Sequence, residues 1–231
     1  MLQSISKKRI YFYLFLLLLL SSTFNFNFIS KFKKLNSINK INIVGLDNKE
    51  MAILEKNLEI FKKKNIFLVN KKEIDQRLNK NSFLDSYTII KILPSKLLIK
   101  VKKTEFVGST IFEGEKYYIG KNGKLTSISL VGKQLDLPQV FGNFQVNKLL
   151  YLHKILNLNG FNLSKINKYY YFKSNRWDIE YDDNTIVMLP TYNLEKSLKN
   201  YKSFITIKKI IPGKIVDLRM NNKIILSNAK R

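Results

Sequence analysis

Between Ile10 and Ile29 the chain carries no charged residue for twenty positions. Coiled into a helix, such a run is ~30 Å long, the thickness of a bilayer's hydrocarbon core. Tyr11 and Tyr13 lie near one end, where amphipathic rings favour the headgroup region. The reading is a single membrane span over 10–29, preceded by a tail over 1–9 that is too short to fold. Leu16 to Leu20 followed by Ser21, Ser22 and Thr23 also has the outline of a cleaved leader. The apolar pattern resumes through Phe24, Phe26, Phe28 and Ile29, which favours a retained anchor. Orientation is not decided by charge, because Lys7, Lys8 and Arg9 on one side face Lys31, Lys33 and Lys34 on the other.

The residues after the span have to fold and do the work. Of 231 residues 45% are hydrophobic, enough for a real core, and the absence of Cys excludes disulfides and thiolate metal sites. The formal charge of +24 suggests a polyanion: nucleic acid, anionic lipid or cell-wall polymer. The lysines are scattered, however, and accompany an excess of Asn, Ile and Phe. A compositional bias that fills ordinary surface positions with lysine accounts for them more simply than a dedicated polyanion site.

Ile38 to Gly45 reads as a strand with Ile41 and Ile43 on one face. Asp47 and Glu50 have capping-box spacing, and Met51, Leu54, Leu58 and Phe61 then form one helical stripe. Asn70 and Glu73 open a second helix that buries Ile74 and Leu78. Two alternating strands, about 84–92 and 96–103, are separated by Pro94, which belongs in the turn because it cannot donate to a ladder. Two helices over a three-stranded sheet is the expected arrangement, with Ile99 and Val101 facing the helices and Lys100 and Lys102 facing water.

Beyond Thr110 the texture changes to short strands. Lys121–Gly123 signals a hairpin turn, and Leu149, Leu152 and Leu156 mark a helix. A second hairpin runs from Asn175 to Pro190 around Asp182, Asp183 and Asn184. Leu194, Leu198, Tyr201 and Ile205 mark the last helix, and 214–226 reads as one closing strand with a turn or bulge at Asn221 and Asn222.

No constellation for catalysis converges. His153 is the only histidine and sits in an apolar helix, where packing is the simpler explanation. Asp178, Glu180, Asp182 and Asp183 resemble a carboxylate cluster, but two alternate on a strand and two make a turn. Trp177 on an alternating strand reads as core. No metal, cofactor or small-molecule substrate is implied, and no enzyme.

The ordered set of motifs resembles the FtsQ/DivIB family of bacterial division proteins. INKINIVGL is similar to the start of that family's POTRA domain. The segment 83–101 is similar to its hairpin, with Phe83, Ile89, Lys91, Pro94, Leu97, Ile99 and Val101 in place. Leu137–Gly142, the Arg176–Pro190 hairpin around Trp177, and the closing strand around Asp217, Leu218 and Arg219 complete the likeness. Lys103 stands where the family carries an acid, with Glu105 nearby.

The resemblance implies an α+β protein: a single N-terminal transmembrane helix, a βααββ POTRA domain over 38–105, a mainly antiparallel β domain with flanking helices over 106–227, and a tail over 228–231. It implies a bitopic inner-membrane protein with a cytoplasmic N-terminus and a periplasmic C-terminal part, concentrated at the division septum. There it holds divisome partners, FtsB and FtsL, without catalysis and without nucleic acid. Partner contacts are expected at Met220, Asn222, Lys223 and Ile225, with Arg176 meeting an acidic partner residue. Pro94, Leu97, Trp177, Pro190, Asp217 and Arg219 are expected to be structural, the last two as a pair within the strand. Two other readings fit parts of the sequence: a membrane-anchored polyanion-binding protein, from the charge, and a POTRA-containing outer-membrane assembly or secretion factor.

Overall fold

The computed structural model describes residues 7–22, 35–208 and 212–228. Helix α1, Lys7–Ser22, is 16 residues long and exposed along its described side chains. Among the described residues no helix is long and apolar enough to cross a membrane. The last seven residues of the expected span, 23–29, lie outside the described residues.

The first folded unit contains β1 (Lys40–Val44), α2 (Asn48–Leu58), α3 (Lys71–Leu78), β2 (Leu84–Ile92) and β3 (Lys96–Lys103). The sheet order is β1-β3-β2; β1 runs parallel to β3, and β2 pairs with β3 antiparallel. The period-two pattern of β3 has its expected effect: Leu97, Ile99 and Val101 are buried while Lys100 and Lys102 face water. Against them pack Leu54, Leu58, Phe61, Ile74 and Leu78, the helical stripes read in the sequence. Gly45 ends β1 at φ +101°, and a Cβ there would stand 2.0 Å from the Val101 carbonyl oxygen, so only glycine fits.

The two helix starts differ. Asn70 caps α3, its side chain accepting from the Lys72 N–H at 2.9 Å. Asp47 precedes α2 in extended geometry, but its side chain makes no cap bond. Its carboxylate accepts from Lys103 Nζ at 3.1 Å instead, and Glu50, fully buried, accepts from the same ammonium at 2.5 Å. The capping box expected from spacing is therefore replaced by a charge cluster, because a lysine on β3 offers each carboxylate a stronger partner than a backbone N–H.

The second unit is a nine-stranded sheet in the order β12-β11-β10-β9-β8-β7-β4-β5-β6. Its strands are β4 (Phe106–Phe112), β5 (Glu115–Gly120), β6 (Leu125–Ser127), β7 (Gln139–Phe141), β8 (Ile166–Tyr171), β9 (Trp177–Tyr181), β10 (Ile186–Met188), β11 (Lys214–Asp217) and β12 (Ile225–Asn228). Five junctions are antiparallel, and three, β4–β7, β7–β8 and β10–β11, are parallel. Helices α4 (Val146–Leu158) and α5 (Leu194–Ile207) share one core with the sheet: Leu149, Leu152 and Leu198 meet Val140, Tyr169, Trp177, Ile179, Val187 and Val216. Gly142, the last residue of the Leu137–Gly142 motif, has φ +102°, and a Cβ would lie 2.2 Å from the Tyr171 carbonyl oxygen.

The sequence reading of one closing strand is corrected. Segment 214–226 belongs to two strands of a hairpin, β11 and β12, and β12 runs on through Ser227 to Asn228, the first residue assigned to the tail. The turn between them has Asn222 at φ +56°, a left-handed conformation that Asn tolerates better than most residues.

Polar bonds join the two units. The Asn122 amide donates both protons, to Ser82 O and Leu84 O, at 2.8 Å each, and Lys124 Nζ reaches Asn79 O at 3.1 Å. Glu50 Oε1 also accepts from the Gly132 N–H at 3.3 Å. Burial works to lower the Lys103 pKa, but its bonds to Glu50 and Asp47 outweigh this and hold the ammonium above its ordinary value. Glu50→Ala leaves Lys103 with the exposed Asp47 carboxylate as its one acidic partner and is expected to cost about 1–3 kcal/mol in chemical denaturation. Leu97→Ala, at a position with no exposure, is expected to cost ~2–5 kcal/mol in the same measurement.

Candidate interaction surface

The C-terminal end of the large sheet gathers most of the residues singled out in the second unit. On β9, Trp177 points into the core, its ring 4.7 Å from that of Tyr171 and 5.8 Å from that of Phe144. One residue earlier the chain faces outward, and Arg176 grips Asp178 through two bonds, Nε to Oδ1 at 3.0 Å and Nη2 to Oδ2 at 3.3 Å. The Arg176 guanidinium also lies over the Phe172 ring, 4.2 Å from its centroid. Burial pushes the Asp178 carboxyl above its ordinary pKa, opposed by Arg176. Arg176 is thus already occupied within its own hairpin rather than held free for an outside acid.

Strand β10 continues into Leu189 and Pro190, and its Met188 carbonyl accepts from the Leu218 N–H at 3.0 Å, extending the β10–β11 pairing by a residue. Asp217 then closes on Arg219. Its Oδ1 accepts from the Arg219 backbone N–H at 2.9 Å and from Nε at 2.8 Å, and Oδ2 meets Nη2 at 2.5 Å. This fork holds the Asp217 carboxyl below its ordinary pKa and fixes where the chain leaves β11. Arg176, Pro190, Leu218 and Arg219 line one open cleft of about 410 Å³. Met220, Asn222 and Lys223 lie in the following turn, where the Lys223 N–H bonds Met220 O at 3.2 Å. Met220 is 50% exposed and Ile225, the first residue of β12, is 43% exposed.

All four residues of β12 are exposed, and the strand is the last in the sheet, so one row of its backbone groups faces outward. Pro94 and Leu97 belong to the other unit and are not part of this surface. Sequence reading passed over Tyr192, which is 83% exposed beside the same cleft. An aromatic two residues after Leu-Pro, between strand and helix where no periodicity buries it, was the available signal.

The remaining candidates are dispersed. Glu180 accepts from Lys168 Nζ at 2.8 Å and from Tyr170 Oη at 2.7 Å, while Asp183 closes its turn by accepting from the Thr185 N–H. Among the described residues no group of three or more His, Asp or Glu side chains could hold a metal ion. His153 packs against Tyr169, ring centroids 5.1 Å apart, beside a cleft of about 590 Å³. Burial, with a smaller contribution from the charge of Lys121, pushes its pKa down to about 4.

Residues 36–103 match the family model described as "POTRA domain, FtsQ-type". The chain is 30% identical over 132 residues to the cell division protein DivIB of Clostridium botulinum (strain Loch Maree / Type A3), an alignment covering 56% of this chain and 44% of that protein. The chain therefore spans less than half the length of this relative. A solved structure, the major extracytoplasmic domain of the trans isomer of divib from Geobacillus stearothermophilus, aligns at 12% identity with a TM-score of 0.32 over 46% of this chain and 93% of that one.

The low pKa of His153 has a measurable consequence. Between about pH 4 and 6.5 the unfolded chain binds a proton at His153 that the folded chain refuses. The contribution to stability is therefore complete above pH 6.5 and lost as pH falls to about 4, by roughly 2–3 kcal/mol. Denaturation across this window should show a shallower pH slope for His153→Leu than for the unaltered chain.

Proposed function

We propose that this chain, a member of the FtsQ/DivIB family, is a non-catalytic division protein held in the cytoplasmic membrane by one N-terminal span, with its POTRA and β domains outside the cytoplasm. Its task is to capture and hold other septal proteins, partners of the FtsB and FtsL kind. The observation that carries the docking site is strand β12: a fully exposed edge next to a hairpin turn, with no described segment covering it.

Such an edge accepts an added strand through main-chain hydrogen bonds, and neighbouring side chains select which strand binds. Ile225 and Met220 supply apolar contact, Asn222 and Lys223 polar contact. Arg219, held by Asp217, and Arg176, held by Asp178, line the adjoining cleft. An acidic partner residue would meet Arg176 by sharing it with Asp178 rather than by claiming it outright. The division role and the septal location are supported by the DivIB relative, and the anchored topology by the apolar run from Ile10.

Replacing Met220 and Ile225 together by Asp should abolish capture of an FtsB-type extracytoplasmic segment while leaving the circular dichroism spectrum unchanged. A folded double variant that binds as tightly as the original places the docking site elsewhere. Depletion in cells should give undivided filaments, and a fluorescent fusion should gather at midcell. For topology, protease added outside the cytoplasmic membrane should digest the part after residue 31. A C-terminal part protected from it sinks the assignment.

A further inference from the structure

The hairpin tip between β2 and β3 lies in the other unit from the β12 surface, and it is not simply a solvated turn. The segment that carries the chain into the POTRA domain, Asn36 to Lys40, is pinned on both sides. On one side Asn36 O accepts from the Ile66 N–H at 2.8 Å and Ile38 exchanges bonds with Lys63 and Lys64; on the other the Asn39 N–H bonds Ser95 O at 3.0 Å. The loop after Phe61 and the β2–β3 tip therefore stand side by side at the end of the domain where the chain arrives. Lys91 Nζ, bonded to Val69 O at 2.8 Å, ties them together directly.

This end carries an unusual mixture. Leu68 is 82% exposed, Phe67 58%, Leu93 58% and Ile92 40%, four large apolar side chains in water on two adjacent loops. Around them stand Lys40, Lys63 and Lys96, exposed and paired to no acid among the described residues. Glu59 and Glu73 beside them are each taken by a lysine, Lys62 and Lys64. The opposite end of the domain is built differently: there Asp47 and Glu50 share one ammonium, that of Lys103.

We propose that this end is a foot that rests on the anionic surface of a lipid bilayer. Apolar tips ringed by lysines match the boundary between acyl chains and headgroups, where the rings and aliphatic chains leave water and the ammonium groups meet phosphates. The bilayer is the favoured occupant because the chain brings it there. Between Ser22, the last residue of α1, and Asn36 lie only 13 residues, which span at most about 50 Å fully extended. A short tether of this kind makes the contact effectively intramolecular. The foot rests on the proposed anchoring of α1, and the closing experiment separates the two. It holds the POTRA domain at a fixed height and tilt above the membrane, with the hairpin tip down.

The chain contains no Cys, so a single cysteine can carry a polarity-sensitive fluorophore. The full chain is reconstituted in nanodiscs of phosphatidylethanolamine with either phosphatidylglycerol or phosphatidylcholine, labelled at Leu68→Cys or, as a control, at Lys80→Cys. Lys80 lies at the far end of the domain, next to the Asn79 carbonyl that Lys124 reaches. Lipids brominated near the headgroup are expected to quench the Leu68 label at least twofold more in phosphatidylglycerol discs than in phosphatidylcholine discs, and to leave the Lys80 label unchanged. The joint change Lys40→Glu, Lys63→Glu and Lys96→Glu, or about 0.5 M salt, should remove the excess. Equal quenching in both lipids overturns recognition of negative charge. A Leu68 label that stays in water, in a chain that resists alkaline carbonate extraction, overturns the foot and leaves the anchor standing. A chain that carbonate extracts overturns both.

Discussion

The Glu50 carboxylate is the point on which the arrangement of the two folded units turns. It is fully buried, and a buried charge is tolerated only with a partner in good geometry. Its Oε1 meets Lys103 from the last strand of the POTRA domain and the Gly132 N–H from the second domain. Three segments far apart in sequence are thereby required to converge on one oxygen. A second directional clasp stands nearby, where Asn122 spends both amide protons on carbonyls of the POTRA domain. Apolar patches slide with little penalty, whereas bonds of this kind fix an angle. The joint between the domains, where Phe106 and Leu130 also pack against the POTRA core, is therefore given a direction by these bonds.

Much of the POTRA domain was legible because its information is local. The alternation of β3, the stripes of α2 and α3, and the proline between β2 and β3 each fix an element within about ten residues, and they agree with one another. What failed was the capping box: Asp47 holds the N-cap position but its side chain makes no cap bond. Spacing alone described it well, but the competing partner, Lys103, lies 56 residues away and leaves no periodic trace. The same holds for Asn122, read as part of a turn signal, which also holds the domains together. The order of the large sheet was out of reach for a related reason. Three of its junctions are parallel, and parallel neighbours are chosen by packing across the core rather than by a turn.

The proposed docking edge is readable in composition but not in shape. Sequence placed Met220, Asn222, Lys223 and Ile225 together, on one closing strand with a turn or bulge at Asn221 and Asn222, where the structure has two strands of a hairpin. The Asn221–Asn222 pair is the local cause of the difference, since a residue with φ +56° at Asn222 reverses the chain and sends β12 back along β11. The reversal moves the sheet's free edge outward by one strand. It leaves β11, with its buried Val216, as an interior strand protected on both sides. The Asp217–Arg219 fork at the start of the turn is then a hinge pin rather than a contact.

Trp177 is the only tryptophan in the chain, and it sits in an aromatic cluster with Phe144, Tyr169 and Tyr171 inside the second domain. Indole emission therefore watches one domain and is blind to the other. If the POTRA domain loosens first, tryptophan fluorescence will continue to report a native protein, and only far-ultraviolet dichroism will register the change. The distance between those two melting curves is a spectroscopic ruler for how strongly the Glu50 and Asn122 clasps bind the domains into one cooperative unit.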